Sequence, residues 1–220
     1  MNYLFDPFNY DLSDPGSIPN LLAQHLLIVG ISMLISIVIA IPLGILVARY
    51  HVIRGPVIGV TSILYTLPAL ALLGFLQLVP GFGLSLPTII LPLVLYAQLV
   101  LVRNTAAGIN AIDPLLFEVG TALGMTRQQL LWRVTLPLAL PVIVAGIRVA
   151  TVTSIGIASL ATLIAVHSLG DLIFLGLENL QNDQVIAGAI LISLLAIAAD
   201  LLLLAVQTAL NRGRSAISLA

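Results

Sequence analysis

Leu21–Ala48 reads LLAQHLLIVGISMLISIVIAIPLGILVA, with no Asp, Glu, Lys or Arg anywhere in it. About 20 mostly apolar residues, wound as a helix, cross the hydrocarbon core of a bilayer, and this run is longer than that. Working outward, four more segments have the same character: Val57–Val79, Leu86–Val102, Pro137–Val166 and Val185–Leu210. The third is short for a span and the fourth is longer than a span needs. The chain as a whole is 60% apolar and 8% charged, whereas a soluble domain is about 45–50% apolar and about 25% charged. A soluble fold of 220 residues has too little interior for that excess, so lipid must cover it. The expected fold is an all-α integral membrane protein with five transmembrane helices. They form one transmembrane domain over 21–210, carrying a cytoplasmic loop at 103–136 and flanked by tails at 1–20 and 211–220.

The charges sort by side. Cytoplasmic loops collect Arg and Lys. Arg49 and Arg54 follow the first segment, Arg103, Arg127 and Arg133 lie between the third and fourth, and Arg212 and Arg214 follow the fifth. With five spans these three regions share one face. The regions opposite, 1–20, 80–85 and 167–184, hold no Arg but carry Asp6, Asp11, Asp14, Asp171, Glu178 and Asp183. This puts the N-terminus outside and the C-terminus inside, and an even number of spans would spoil the sorting. The first twenty residues lack the basic start of a secretory signal and read as a short extracytoplasmic tail.

Composition also excludes chemistry. There is no Cys, so disulfides, thiolate catalysis and Cys-zinc sites are ruled out. All eight basic residues are Arg. A P-loop needs a Lys to reach the nucleotide phosphates, so any ATP must be bound by another subunit. Scattered Arg residues make no nucleic-acid face, and His25, His51 and His167 lie too far apart in the chain to suggest a metal site. No Ser-His, His-Glu or paired-carboxylate arrangement supports an intramembrane enzyme.

The long inside loop carries the strongest local signals. Asp113 is placed to cap a helix whose first position is Pro114, and Gly124 suits its left-handed stop. Thr126-Arg127-Gln128-Gln129 is a capping box, opening a second short helix that runs to about Val134 and meets Leu136-Pro137. The first of these helices shows Leu115, Leu116, Phe117, Val119 and Leu123. A cytoplasmic helix this apolar needs a groove to fill. An in-plane membrane helix would carry Lys or Arg on its polar face, and this one carries Asp113 and Glu118.

Glu118-Val119-Gly120, then Gly124, then Val134-Thr135-Leu136-Pro137, resembles the EAA loop of binding-protein-dependent ABC import permeases, with Val119 and Gly120 where Ala is usual. The flanks are similar to the permeases for glycine betaine, choline, carnitine and related osmoprotectants. They comprise Arg103-Asn104-Thr105-Ala106-Ala107-Gly108-Ile109, Leu136 through Arg148, Tyr65-Thr66-Leu67-Pro68-Ala69-Leu70-Ala71-Leu72-Leu73, and Leu169-Gly170-Asp171-Leu172-Ile173-Phe174. Ala165 through Gly170 departs from the Gly-rich run usual there. The resemblance implies the MetI-like fold of type I importer permeases in a prokaryotic plasma membrane. It implies as partners two ABC ATPase subunits, which bind ATP and Mg, a second permease chain, identical or paralogous, and an extracytoplasmic substrate-binding protein. Leu115, Leu116, Phe117, Glu118, Gly120, Gly124, Leu136 and Pro137 would then form the ATPase-coupling site.

Within the spans, Pro42, Pro68, Pro87, Pro92 and Pro141 fall where each removes a backbone donor. Pro68, beside Tyr65 and Thr66, is the leading candidate for the translocation path, and His167 at the outer mouth is a candidate for gating. Arg148 and Asp200 are the ionisable residues deepest in the spans, at similar expected depth on antiparallel helices, and are expected to pair or share a hydrated cluster. Tyr50 and Trp132 suit the inner interface. The 12 aromatic residues show no cluster in sequence, which places high-affinity capture of a quaternary ammonium solute in the separate binding protein. The remaining alternatives are an amino-acid importer permease with the same loop, and a secondary transporter that works without ATP. The second is disfavoured because no internal repeat is visible.

Overall fold

The computed structural model describes residues 2–215, with side chains described for 3–211; the end of the expected C-terminal tail, 216–220, lies outside the described residues, as do the side chains of Arg212 and Arg214. The described chain is helical. After two short 3₁₀ turns it runs through α1 (Ile18–Arg49), α2 (His51–Thr66), α3 (Ala69–Gln77), α4 (Leu86–Asn110), α5 (Pro114–Ala122), α6 (Arg127–Leu130), α7 (Leu136–Ala158), α8 (Gly170–Glu178) and α9 (Asn182–Ser215). Four stretches are long and apolar enough to cross a membrane: α1, α4, the rod from Arg127 to Ile164, and α9 from Asn182 to Asn211. The pair α2 and α3 makes a fifth if it is one broken span.

That break divides the expected span Val57–Val79 at Pro68. Pro68 offers no N–H, and a residue before proline is pushed into extended backbone. Leu67 accordingly sits at φ −65°, ψ 133°, and α2 and α3 diverge by 88°. Other elements are longer than hydropathy indicated. α4 continues past Val102 to Asn110 because Thr105, Ala106 and Gly108 remain buried. The N-terminal segment is packed rather than free, with Tyr3 and Leu4 lying on a cluster built from Ile18, Leu21, Leu169 and Leu172.

α4 is the central element: 61% of its apolar stretch is buried, against none of α9's. Ile28 and Met33 of α1, Leu93, Leu101 and Val102 of α4, and Ala150 and Ile155 of α7 share one core. Small residues set these approaches, as expected where backbones must come close without a hydrophobic drive between helices. A Cβ on Gly44 would lie 2.5 Å from Thr105 Cβ, and one on Gly146 would lie 2.6 Å from Asn104 Cβ. Some polar side chains inside the bundle find backbone partners, Ser36 and Gln98 among them. His25, fully buried, donates from Nε2 to the Ile155 carbonyl at 3.0 Å, tying α1 to α7.

Candidate functional site

The segment that carries the EAA-like pattern begins where α4 ends. The Asp113 carboxylate accepts from the Leu115 amide at 2.9 Å, and Pro114 opens α5. Gly124 takes φ +77°, the left-handed turn that ends the helix. Thr126 and Gln129 close a reciprocal capping box: the Thr126 amide donates to Gln129 Oε1 at 2.8 Å and the Gln129 amide to Thr126 Oγ1 at 3.3 Å.

α7 begins at Leu136, but no break precedes it. α6 passes through a π-helical turn, Leu131–Thr135, directly into α7, so Arg127 to Ile164 is one rod. The wider π turn accommodates Pro137, whose missing N–H would leave a gap in a regular α ladder. The chain between the two long helical stretches that belongs to neither is therefore 111–126.

α5 is held by one side only. Phe117 packs on Ile112, Ala139 and Ile143. Gly120 is buried where a Cβ would meet Leu130 Cδ2 at 3.0 Å, so α5 lies close on α6. Glu118 is exposed. Leu115 (58% exposed), Leu116, Val119 and Leu123 (73%) all face outward. Their spacing makes one apolar stripe. Between this helix and the ends of α1 and α4 lies a cleft of about 690 Å³, with Arg49 and Arg127 among its walls. Leu136 is half-buried and Pro137 is exposed at the base of α7.

Inside the span, Arg148 and Asp200 meet. Arg148 Nε donates to Asp200 Oδ1 at 2.9 Å and Nη2 to Oδ2 at 2.8 Å. This is the bidentate form in which guanidinium and carboxylate match best. A third partner, Gln207, accepts from Arg148 Nη1 at 2.8 Å; it lies two helical turns beyond Asp200 on α9, a spacing visible in sequence. The Asp200 side chain is 37% exposed, on a helix whose exposed side chains include Leu194, Ile197, Leu201 and Leu202.

His167 lies far from that pair. Its ring Nδ1 is 2.6 Å from Asp171 Oδ2, one turn along the chain. The buried Asp171 also accepts from the Thr162 hydroxyl and the Ser168 amide. Asp171 was not among the candidates, although its i, i+4 spacing from His167 was legible.

The break in α2–α3 gathers Tyr65, Thr66 and Pro68 with two residues that periodicity did not single out. The rings of Tyr65 and Tyr96 meet edge to face, 6.0 Å between centroids at 86°, and the Tyr96 hydroxyl donates to the Leu67 carbonyl at 2.6 Å. One turn inward along α2, Ser62 Oγ accepts from Arg103 Nη2 at 3.0 Å. The aromatic residues scattered in sequence thus form one pair at the bend.

The profile of the binding-protein-dependent transport system inner membrane component matches residues 40–215. The chain is 44% identical to the glycine betaine/carnitine/choline transport system permease protein OpuCD of Bacillus subtilis, over 86% of this chain and 82% of that protein. It is 39% identical to the choline transport system permease protein OpuBD of the same organism, over 96% and 93%. It is 37% identical to the osmoprotectant import permease protein OsmW of Salmonella typhimurium, over 94% and 97%. The fold superposes on a chain of the MetNI methionine ABC transporter in an inward-facing conformation with TM-score 0.73 at 20% identity, covering 85% of this chain and 93% of that one. The protein belongs to the binding-protein-dependent transport system inner membrane component family and is an ABC importer permease of the MetI fold.

Proposed function

We propose that this chain forms the translocation pathway of an importer for quaternary ammonium osmoprotectants, the class to which glycine betaine, choline and carnitine belong. It works with a second permease chain, two ATPase subunits that bind ATP and Mg, and an extracytoplasmic binding protein that captures the solute. The N-terminus faces outside and the C-terminus inside. The observation that carries the reading is the one-sided α5: a capped helix, seated through Phe117 and Gly120 and joined closely to a membrane rod, that presents Leu115, Leu116, Val119 and Leu123 to whatever lies beneath the membrane. Glu118, Gly124, Leu136 and Pro137 complete the coupling site. Closure of the ATPases moves α5, and the rod from Arg127 carries that motion into the bundle, alternating the access of the pathway.

In the same scheme Tyr65, Thr66 and Pro68 line the path and His167 stands at the outer mouth. Arg148 and Asp200 make a structural pair. Support for the solute class comes from the named relatives at 37–44% identity, and the reading is tested with the assembled complex. Purified in mild detergent, the chain should carry ATPase subunits with it. In liposomes supplied with the binding protein and ATP it should accumulate radiolabelled glycine betaine, carnitine or choline. Accumulation of amino acids alone would instead favour an amino-acid importer. Uptake that persists without the ATPase and collapses with the ion gradient would mark a secondary transporter.

A further inference from the structure

We infer that the seam between α2 and α4, at the α2–α3 break, is a transit site: the Tyr65 ring receives the quaternary ammonium head of the solute and Arg103 receives the carboxylate of those solutes that have one. The inference rests on the solute class proposed above.

The site lies at mid-depth. Tyr96 is 14 residues from Asn110 at the end of α4, and Tyr65 is 14 residues from His51 at the start of α2; at 1.5 Å per residue each is about 21 Å from the α5 side of the bundle. Arg103, 7 residues from Asn110, lies nearer that side, about 10 Å from it, and the surface from Arg103 up to Thr66 carries polar groups where lipid would require apolar ones. Tyr65 is 41% exposed, Thr66 and Arg103 are exposed and Ser62 is partly so. An Arg facing hydrocarbon costs several kcal/mol, so charged residues within spans face protein or a water-filled cavity. The stripe Ser62, Tyr65, Thr66 and Arg103 therefore faces water or the partner chain.

The chemistry on that stripe is particular. The two tyrosines have different roles. Tyr96 is 5% exposed; its ring fixes the orientation of Tyr65 edge to face, and its hydroxyl holds the bend through the Leu67 carbonyl. It is a positioning residue. Tyr65 keeps 41% of its surface exposed, and an exposed tyrosine ring attracts a cation through the negative side of its quadrupole, a common way of holding quaternary ammonium groups. Ser62 lies three residues before Tyr65, about 4.5 Å along the helix, and it holds the Arg103 guanidinium. That guanidinium has donors besides the one given to Ser62. A zwitterion, with a carboxylate a short carbon chain from its ammonium, has a group for each of them; choline, a cation without a carboxylate, meets only the ring and a like charge. A single open ring gives weak binding, which suits a site that must release its solute at every cycle.

The test uses the complete reconstituted transporter with its binding protein and measures initial uptake of glycine betaine, carnitine and choline. Tyr65→Leu keeps the bulk and removes the π face; it should lower uptake of all three about fivefold or more, whereas Tyr65→Phe, which keeps the ring, should stay within about twofold of the unaltered complex. Arg103→Gln should lower glycine betaine and carnitine uptake relative to choline by about fivefold or more, and this change of selectivity is one that a merely structural role would not produce. Wild-type uptake of the three solutes with no loss in Tyr65→Leu, or an equal effect of Arg103→Gln on all three, overturns the transit site while leaving the solute class intact. If Tyr65→Leu fails to assemble, the Arg103→Gln selectivity decides alone. An unaltered complex that carries none of the three overturns the solute class and the transit site with it.

Discussion

Replacing Leu115 and Leu123 by Ser should cut the affinity of the permease for its ATPase without weakening the permease itself. Fully burying a Leu side chain stabilises by about 1.5–3 kcal/mol. Leu115 is 58% exposed and Leu123 73% exposed. If both bury what remains in the ATPase groove, Leu115 contributes about 0.9–1.7 kcal/mol and Leu123 about 1.1–2.2 kcal/mol. Together that is about 2–4 kcal/mol, or about 30- to 1,000-fold in dissociation constant. The measurement is a titration of ATPase subunits onto the permease in nanodiscs, with a thermal unfolding scan of each variant alone. Because both side chains already face outward in the isolated chain, the double variant should unfold at the wild-type temperature. Phe117→Ser makes the contrast: its ring packs on Ile112, Ala139 and Ile143, so that substitution should lower the unfolding temperature as well. A Leu115→Ser/Leu123→Ser permease that folds normally and binds the ATPase as tightly as the wild type would refute the docking role of α5.

Arg148→Gln alone should reduce the yield of folded, transport-competent complex more than Arg148→Gln with Asp200→Asn, because the single change strands a carboxylate in the span; gel filtration of the detergent-solubilised complex reads the difference. Gly146→Ala would place a Cβ 2.6 Å from Asn104 Cβ, about 0.8 Å short of ordinary contact at 3.4 Å. Overpacking of that kind costs about 1–3 kcal/mol, a loss of several degrees in unfolding temperature, and the cost should vanish in an Asn104→Gly background, where the opposing Cβ is gone. The chain lacks Cys, so single Cys residues report orientation: Ser13→Cys should react with a membrane-impermeant maleimide on intact cells, and Gln128→Cys only after permeabilisation.

Much of the fold was legible because the physics that decides it is local. Hydropathy alone marks α1, α4 and α9, and Asp113, Gly124, Thr126 and Gln129 act on neighbours within a few residues, so their spacing announces the caps. The Arg148–Asp200 pair was also legible, since two ions of opposite sign placed within apolar spans at matching depth have few alternatives. What sequence could not show is what depends on angles between elements. Pro68 announces a disturbance, but the 88° bend is set by how α3 packs its buried Leu73 and Leu76. Tyr65 and Tyr96 are 31 residues apart in the chain, and only the crossing of α2 over α4 joins them. The π turn at Leu131–Thr135 was hidden because its composition is that of any helix.

The bend at Pro68 and the unbroken rod from Arg127 bear on the proposed mechanism together. Had a flexible linker separated α5 and α6 from α7, motion of α5 would be absorbed before it reached the bundle. Instead, α5 sits against Leu130 through Gly120, and Leu130 leads through the π turn into α7, so displacement of α5 must tilt or rotate the rod. The rod in turn presses on α4 where Gly146 lies against Asn104, and α4 carries both Tyr96 and Arg103. A helix as closely packed as α4 transmits a shift rather than absorbing it. The hydroxyl of Tyr96 holds the Leu67 carbonyl at the α2–α3 break, so a shift of α4 pulls directly on the most easily bent point of the bundle. In the pathway proposed here the break is the point that opens at least cost, because Pro68 has already removed the hydrogen bond that a straight helix would have to lose.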